Sequence, residues 1–216
     1  MIAADASSSF WLRGALDSRE LAALDRIAEG AGRPGLRINW ADPAVAPILA
    51  PITAALRPHL TDIRLTRVVW FSKDAQTNWG VPWHQDRVIA VAERHDLPGF
   101  SNWSLKSGVW HCEPPLDLFA TMRFVRVHLD DCDAKNGTME IARGSEAEGL
   151  VPEGQAAAVA ARHPTELCVA ERGDIQMLPM LVLHRSRPAE THAPRRALRR
   201  DYALADLPAP LRWCAS

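Results

Sequence analysis

The sequence predicts a mainly β chain, a closed or sandwiched barrel of short strands with a helical layer packed against it. Three observations carry this. Apolar residues recur at helical spacing only near the start of the chain. From Thr61 onward the pattern changes to short β-branched, aromatic and aliphatic runs separated by turn signals, about seven or eight in all. Length and composition, 216 residues with 47% hydrophobic and 24% charged, suit a globular chain able to bury a sizeable core. One domain over 1–216 is expected, with the helical layer at about 16–58 and the barrel at about 61–205.

Asp17-Ser18-Arg19-Glu20 has the D-x-x-E form of a capping box, and Leu16, Leu21, Leu24 and Ile27 then recur at helical spacing until Gly30 and Gly32. Ala44 to Leu56 is Ala-rich enough for a second helix, with Pro47 and Pro51 near its start. Ile63, Leu65, Val68, Val69, Trp70 and Phe71 read as a strand running into a polar loop, Lys73 to Asn78. Further strands are expected at Val88 to Ala92, Ala120 to Leu129, Thr138 to Ile141, Glu166 to Ala170, Asp174 to Leu178, Leu181 to His184 and Ala197 to Leu204. Lys135-Asn136-Gly137, Arg143-Gly144-Ser145 and Arg172-Gly173-Asp174 supply turns between them, and Gln155 to Arg162 reads as a short inserted helix.

The formal charge of -1, from 25 Lys+Arg against 26 Asp+Glu, leaves no basic field for nucleic acid or an anionic membrane, so the expected partner is a small molecule. Met1 to Gly14 lacks a basic segment followed by an apolar one, and no stretch approaches the ~18 apolar residues of a membrane span. A cytoplasmic location is expected. Cys112, Cys132, Cys168 and Cys214 form no C-x-x-C pair and read as reduced thiols. Eight Trp stand beside a single Tyr, and Trp79, Trp83, Trp103 and Trp110 crowd one stretch.

That stretch contains a metal-ligand spacing. A facial triad needs two imidazoles and one carboxylate on one side of an iron, and H-x-D on an extended segment points both side chains to one face. About one H-x-[DE] is expected by chance. The chain has His84/Asp86, His111/Glu113 and His128/Asp130. His111-Cys112-Glu113 runs into Pro114-Pro115, which favours a loop, whereas His128/Asp130 ends a convincing strand and stays open as a rival.

Val69-Trp70-Phe71-Ser72-Lys73 and Asn78-Trp79-Gly80-Val81-Pro82-Trp83-His84-Gln85-Asp86 resemble the phytanoyl-CoA dioxygenase-like family of Fe(II)/2-oxoglutarate oxygenases. The resemblance continues through His111 to Pro115, Val127 to Asp131, Asn136-Gly137, Gly144-Ser145 and Gly173-Asp174-Ile175 to His184, Ser186, Arg195 and Tyr202. It covers roughly Arg67 to Tyr202 and implies a double-stranded β-helix, the fold of the jelly-roll and cupin barrels. It further implies His84, Asp86 and His184 as iron ligands, with 2-oxoglutarate and O2 as cosubstrates. Arg195 is implied to receive the distal carboxylate of 2-oxoglutarate, shared with the Ser186 hydroxyl, because a guanidinium takes a carboxylate in a bidentate fork. Lys73 is similar to the family lysine that reaches the cosubstrate, and Gln85 sits where an amide beside the metal ligands is usual. The implied activity is hydroxylation or desaturation of a small molecule with release of succinate and CO2; Asp86 argues against a halogenase. One departure is visible: Gly144-Ser145-Glu146 stands where the family commonly reads Gly-Ser-His.

Blander readings stand beside these. His59, His95, His163 and His192 read as ordinary surface or core residues, and Lys73 alone could be a solvent lysine. Arg195 lies among Arg185, Arg187, Arg196, Arg199 and Arg200. Strand parity separates them: Leu198, Tyr202 and Leu204 share the face toward the helices, leaving Arg195, Ala197, Arg199 and Asp201 toward the interior and Arg196 near the outer end. The same parity groups Met122, Phe124, Arg126 and His128, which places Arg126 near the cosubstrate or substrate unless it forms an outer ion pair with Asp130 or Asp131. Trp79 and Trp83 flank the motif as candidate pocket walls, the simpler reading being core packing. Two other classes remain: a zinc or nickel barrel performing hydrolysis or isomerisation, and a catalytically silent metabolite-binding module.

Overall fold

The computed structural model describes residues 9–28, 35–60, 62–73, 78–191 and 195–214. The chain opens with β1 (Phe10–Leu12), α1 (Ser18–Ala28), β2 (Leu36–Arg37) and α2 (Ala46–Leu56). There follow β3 (Arg64–Lys73), β4 (Val81–His84), β5 (Ile89–Val91), β6 (Ser101–Lys106), β7 (Val109–Glu113), α3 (Leu116–Thr121) and β8 (Arg123–His128). The last part holds β9 (Met139–Ala142), α4 (Ala156–Ala160), β10 (Thr165–Leu167), β11 (Ile175–Pro179), β12 (His184–Ser186) and β13 (Arg195–Ala203).

The N-terminal helix forms where the capping box sits. The backbone N–H of Glu20 donates to Asp17 Oδ1 at 2.8 Å and that of Asp17 to Glu20 Oε2 at 2.9 Å, satisfying two amides that a helix start leaves open. The expected stop at Gly30 and Gly32 lies outside the described residues. The second helix begins at Ala46 rather than Ala44, because Asp42 caps a turn there through Ala44 N–H at 2.8 Å; Pro47 then occupies its first turn and Pro51 its interior.

Two antiparallel sheets face one another. One runs in the order β1-β11-β8-β13-β3-β2 and the other β10-β9-β12-β4. Alternation sorts the larger sheet's side chains: Val68, Trp70, Val125, Val127, Ile175, Met177, Leu198 and Tyr202 pack outward on Leu21, Leu24, Leu49, Ile52 and Leu56 of the helices. Each such side chain, fully buried, contributes about 1.5–3 kcal/mol. Phe124, Leu178, Met139 and Ile141 fill the space between the sheets. Mainly antiparallel strands in two facing sheets with a helical layer make the double-stranded β-helix.

Several expected boundaries shift. His111 to Glu113 is not a loop but the end of β7, the central strand of a third sheet ordered β5-β7-β6. Pro114 only forces the residue before it into extended backbone, which a strand already has. Ala120 belongs to α3, so the strand expected from Ala120 starts at Arg123. The strand expected at Leu181 to His184 begins only at His184, and that expected at Glu166 to Ala170 is Thr165–Leu167 followed by an isolated bridge from Ala170 to Cys132. Among the described residues no helix is long and apolar enough to cross a membrane.

Candidate metal centre

Strand β12 lies between β9 and β4, and this pairing brings the two motif histidines together, since His184 is the cross-strand partner of His84. Their rings lie 4.2 Å apart. Each imidazole is fixed from behind: Nδ1 of His84 lies 2.8 Å from the Pro82 carbonyl and Nδ1 of His184 3.0 Å from that of Val182. A donor Nδ1–H on each leaves the Nε2 lone pair as the metal ligand, the orientation that metal-bound histidines need. Asp86 lies just past β4, and one of its oxygens sits 3.3 Å from His184 Nε2. One ligand atom from each of the three lies within 4.8 Å of the others, close enough to hold one metal ion. Two imidazoles and a carboxylate suit a first-row divalent metal with open positions.

The rival pairs are engaged elsewhere. Nε2 of His111 meets Arg37 Nη2 at 2.6 Å while Glu113 pairs with Arg87 at 2.8 Å. Asp130 turns outward to Arg196 at 2.6 Å, and His128 stays inside against Trp11, its pKa lowered to about 3 by burial and the nearby Arg126 and Arg195 cations. Among the described residues His84, Asp86 and His184 are the group able to hold a metal.

Arg199 is the residue that sequence reading passed over. Parity placed it inside without a role, yet its guanidinium pairs with Asp86 and, at 2.7 Å, with Asp201, which Arg67 holds from the other side at 2.5 Å. It also lies 4.4 Å from the Phe124 ring, whose centroid is 5.4 Å from that of His184. Burial alone raises the Asp86 pKa, but Arg199, and then His184, override it and hold the carboxyl well below the usual range. Burial and neighbouring His184 lower the His84 pKa, which keeps that ring neutral and able to ligate.

The centre opens into a cavity of about 220 Å³ lined by His84, Asp86 and His184 together with Lys73, Trp79, Arg126, Ser186 and Arg195. Lys73 and Arg195 are cross-strand partners on β3 and β13. Lys73 Nζ donates to Ser186 Oγ at 3.1 Å and to the Trp79 carbonyl at 2.7 Å, and lies 4.9 Å from the Trp79 ring centroid. Burial, then the Arg195 and Arg126 cations, lower its pKa to about 8. The Nε atoms of Arg126 and Arg195 are buried with no partner among the described residues, orphans of the kind that a bound polar group satisfies.

Two predicted residues are not in this wall. Gln85 points away: its amide N–H donates to the carbonyls of Gly149 at 2.8 Å and Leu181 at 2.6 Å, and its Oε1 accepts from Val151 N–H at 2.9 Å. Lying between two inward ligands, it ties the loop after Ser145–Glu148 to the strand region before His184 rather than contacting a cosubstrate. Trp83 likewise faces outward, packing on Ala142, Val151, Ala156, Val159, Ala160 and Leu183 with Arg185 stacked 4.7 Å from its ring centroid. Glu146 lines a separate cleft with Ile141 and Arg143, while Ser145 accepts the Leu183 N–H at 2.8 Å.

A family profile, phytanoyl-CoA dioxygenase (PhyH), matches residues 25–197. The chain belongs to the phytanoyl-CoA dioxygenase family. The match embraces all three candidate ligands and the Lys73, Ser186 and Arg195 group. Among curated protein sequences none matches this member of the family. Among solved structures, AviO1 from Streptomyces viridochromogenes Tue57 is similar at a TM-score of 0.65 and 19% identity, over 94% of this chain and 93% of that one. HygX from Streptomyces hygroscopicus, solved with nickel and 2-oxoglutarate, is similar at 0.61 and 16%, over 92% and 83%. EctD from S. alaskensis, solved with bound Fe, is similar at 0.65 and 17%, over 93% and 74%. At these identities the likeness establishes the fold.

Proposed function

We propose that the chain is an Fe(II)- and 2-oxoglutarate-dependent dioxygenase, one catalytic domain that hydroxylates a small-molecule substrate and releases succinate and CO2. The observation carrying this reading is that the triad and a group of cations without carboxylate partners among the described residues line one cavity. His84, Asp86 and His184 hold the iron, which when bound supplies the activation of O2. Arg195 offers the distal carboxylate its planar fork, Ser186 adds a hydroxyl, and Lys73 completes the charge. These three face the same cavity from β13, β12 and β3, so the distal carboxylate is fixed by strands rather than loops. Arg199 keeps Asp86 ionised and aimed. Trp79 covers Lys73 at the mouth, limiting water around the carboxylate site. HygX and EctD, which share the fold, have been solved with 2-oxoglutarate and nickel or with iron, in keeping with this assignment.

A zinc or nickel hydrolase would have no use for the Lys73, Ser186 and Arg195 clamp, and a silent binding module no use for the complete triad. The deciding experiment is anaerobic titration with Fe(II) and then 2-oxoglutarate. A metal-to-ligand charge-transfer band is expected, and Arg195→Met is expected to weaken 2-oxoglutarate binding by about tenfold or more, the worth of a charge-assisted pair. Under labelled O2, a hydroxylated product carries one oxygen atom and succinate the other. A protein that binds Fe(II) but never develops the band does not have this function.

A further inference from the structure

Five cationic side chains line the cavity wall, and two are neutralised by the protein: Arg199 by Asp86 and Asp201, Arg185 by Glu140 at 2.8 Å. Lys73, Arg126 and Arg195 have no carboxylate within ion-pair distance among the described residues. Lys73 and Arg195 belong together, paired across strands and joined to Ser186. Arg126 comes from a different strand, β8, where its cross-strand partner is Arg199, next to the metal ligand Asp86.

Arg126 is poorly satisfied by the protein. Its hydrogen-bond partner is the Met139 thioether, 3.7 Å from Nη1, a weak acceptor, and its Nε is buried with no partner. An unmatched guanidinium set against the Met139 side chain costs stability that a Met or Leu at the same position would not. Burial and the Arg195 cation lower its pKa only to about 10, so it stays charged at neutral pH. The position is therefore suited to an anion that arrives from outside.

On the proposed reading the 2-oxo acid has no further carboxylate to give Arg126. One of its carboxylates belongs with the metal end and the other with Lys73, Ser186 and Arg195. Resting on the 2-oxoglutarate reading, we propose that Arg126 receives a carboxylate of the primary substrate, so that the enzyme acts on small organic acids. Phe71, Val81, Trp79 and Met139 in the same wall suit an apolar or aromatic body attached to that carboxylate.

The test uses the full chain loaded with Ni(II) and saturating 2-oxoglutarate, which does not turn over, and reads thermal stability and tryptophan fluorescence. The probes are acetate and benzoate against acetamide and benzamide. The acids are expected to raise Tm and perturb fluorescence, and the amides not. Arg126→Met is expected to lower acid affinity by about tenfold or more, to leave 2-oxoglutarate affinity within about twofold, and to raise the Tm of the ligand-free protein by removing an unmatched charge. Arg126→Lys, which keeps the charge without the fork, retains part of the acid response. Equal responses to acids and amides overturn the proposal. So does an Arg126→Met protein that loses 2-oxoglutarate as Arg195→Met does, which would give Arg126 to the cosubstrate, or one less stable without ligand, which would make it structural. Response to 2-oxoglutarate without response to either acid overturns this proposal alone. No response to 2-oxoglutarate removes the cosubstrate reading and this one with it.

Discussion

Arg199 and Lys73 show how differently two buried cations can serve one cavity. Arg199 is held between Asp86 and Asp201, so removing it leaves the half-buried Asp86 without its guanidinium partner and the buried Asp201 with Arg67 alone. Arg199→Met is expected to lower unfolding free energy by about 3–5 kcal/mol, the usual cost of breaking a buried pair. Denaturant titration measures it, and Arg199→Lys should recover part of the loss; a change near zero would show that the pair is not confined as the geometry indicates. Among the described residues Lys73 has no such partner, and its pKa of about 8 lies below the unfolded value. Between pH 8 and 10 the unfolded chain holds this proton and the folded chain releases it, so the ligand-free protein gains stability from Lys73 as pH rises. Cosubstrate affinity moves the other way, because the deprotonated amine no longer attracts the carboxylate. Opposite slopes of Tm and 2-oxoglutarate affinity across that interval, both flattened in Lys73→Met, are the expected signature.

At the scale of elements, the segment behind Ser186 depends on one glycine. Gly137, in the turn between β8 and β9, has φ of 72°, and a Cβ there would stand 2.8 Å from the Arg187 carbonyl oxygen. Gly137→Ala therefore strains its own backbone and pushes on the chain that follows β12. A stability loss of about 1–3 kcal/mol is expected, together with weaker 2-oxoglutarate binding through a displaced Ser186 and unchanged metal affinity, measured by calorimetry with Ni(II). How much of this the sequence showed depended on which force was local. The capping box at Asp17 and Glu20, and the alternation that turned Leu198 outward and Arg195 inward on β13, are set by neighbours a few residues away and were readable. The His111 strand was not, because its pairing with Ile89 to Val91 and with β6 is a long-range choice that the following prolines disguised. Gln85 and the pocket-wall reading of Trp83 were misplaced against a local signal: the alternation that turns His84 and Asp86 to one face turns their neighbours to the other, where Trp83 takes the simpler reading of core packing. Arg199 gave only its parity, since its partner Asp86 is 113 residues away.

At the scale of the whole molecule, the proposed ligands join two sheets that the fold itself holds together through apolar packing. His84, His184 and Ser186 come from the smaller sheet, whereas Lys73, Arg126, Arg195 and Arg199 come from the larger. Among the described residues this interface contains three cations lacking counter-ions and a triad whose histidine rings lie 4.2 Å apart. A divalent metal alone meets the Lys73, Arg126 and Arg195 charges, and a dicarboxylate alone meets no metal to chelate; each relieves what opposes the other. Metal and 2-oxoglutarate should therefore bind with positive coupling, and by linkage each raises the other's affinity by the same factor. A ligand at about 100 times its dissociation constant adds about 2.7 kcal/mol to folding stability. With Ni(II) and 2-oxoglutarate added separately and together under fixed concentrations, the joint Tm increase is expected to exceed the sum of the single increases. Arg195→Met should bring the joint increase most of the way back to that sum, because the dicarboxylate then keeps Lys73 alone as its anchor on the larger sheet. Simple additivity in the unsubstituted protein would mean that the metal and the cation clamp act as separate sites, and would count against a chelated dicarboxylate spanning both.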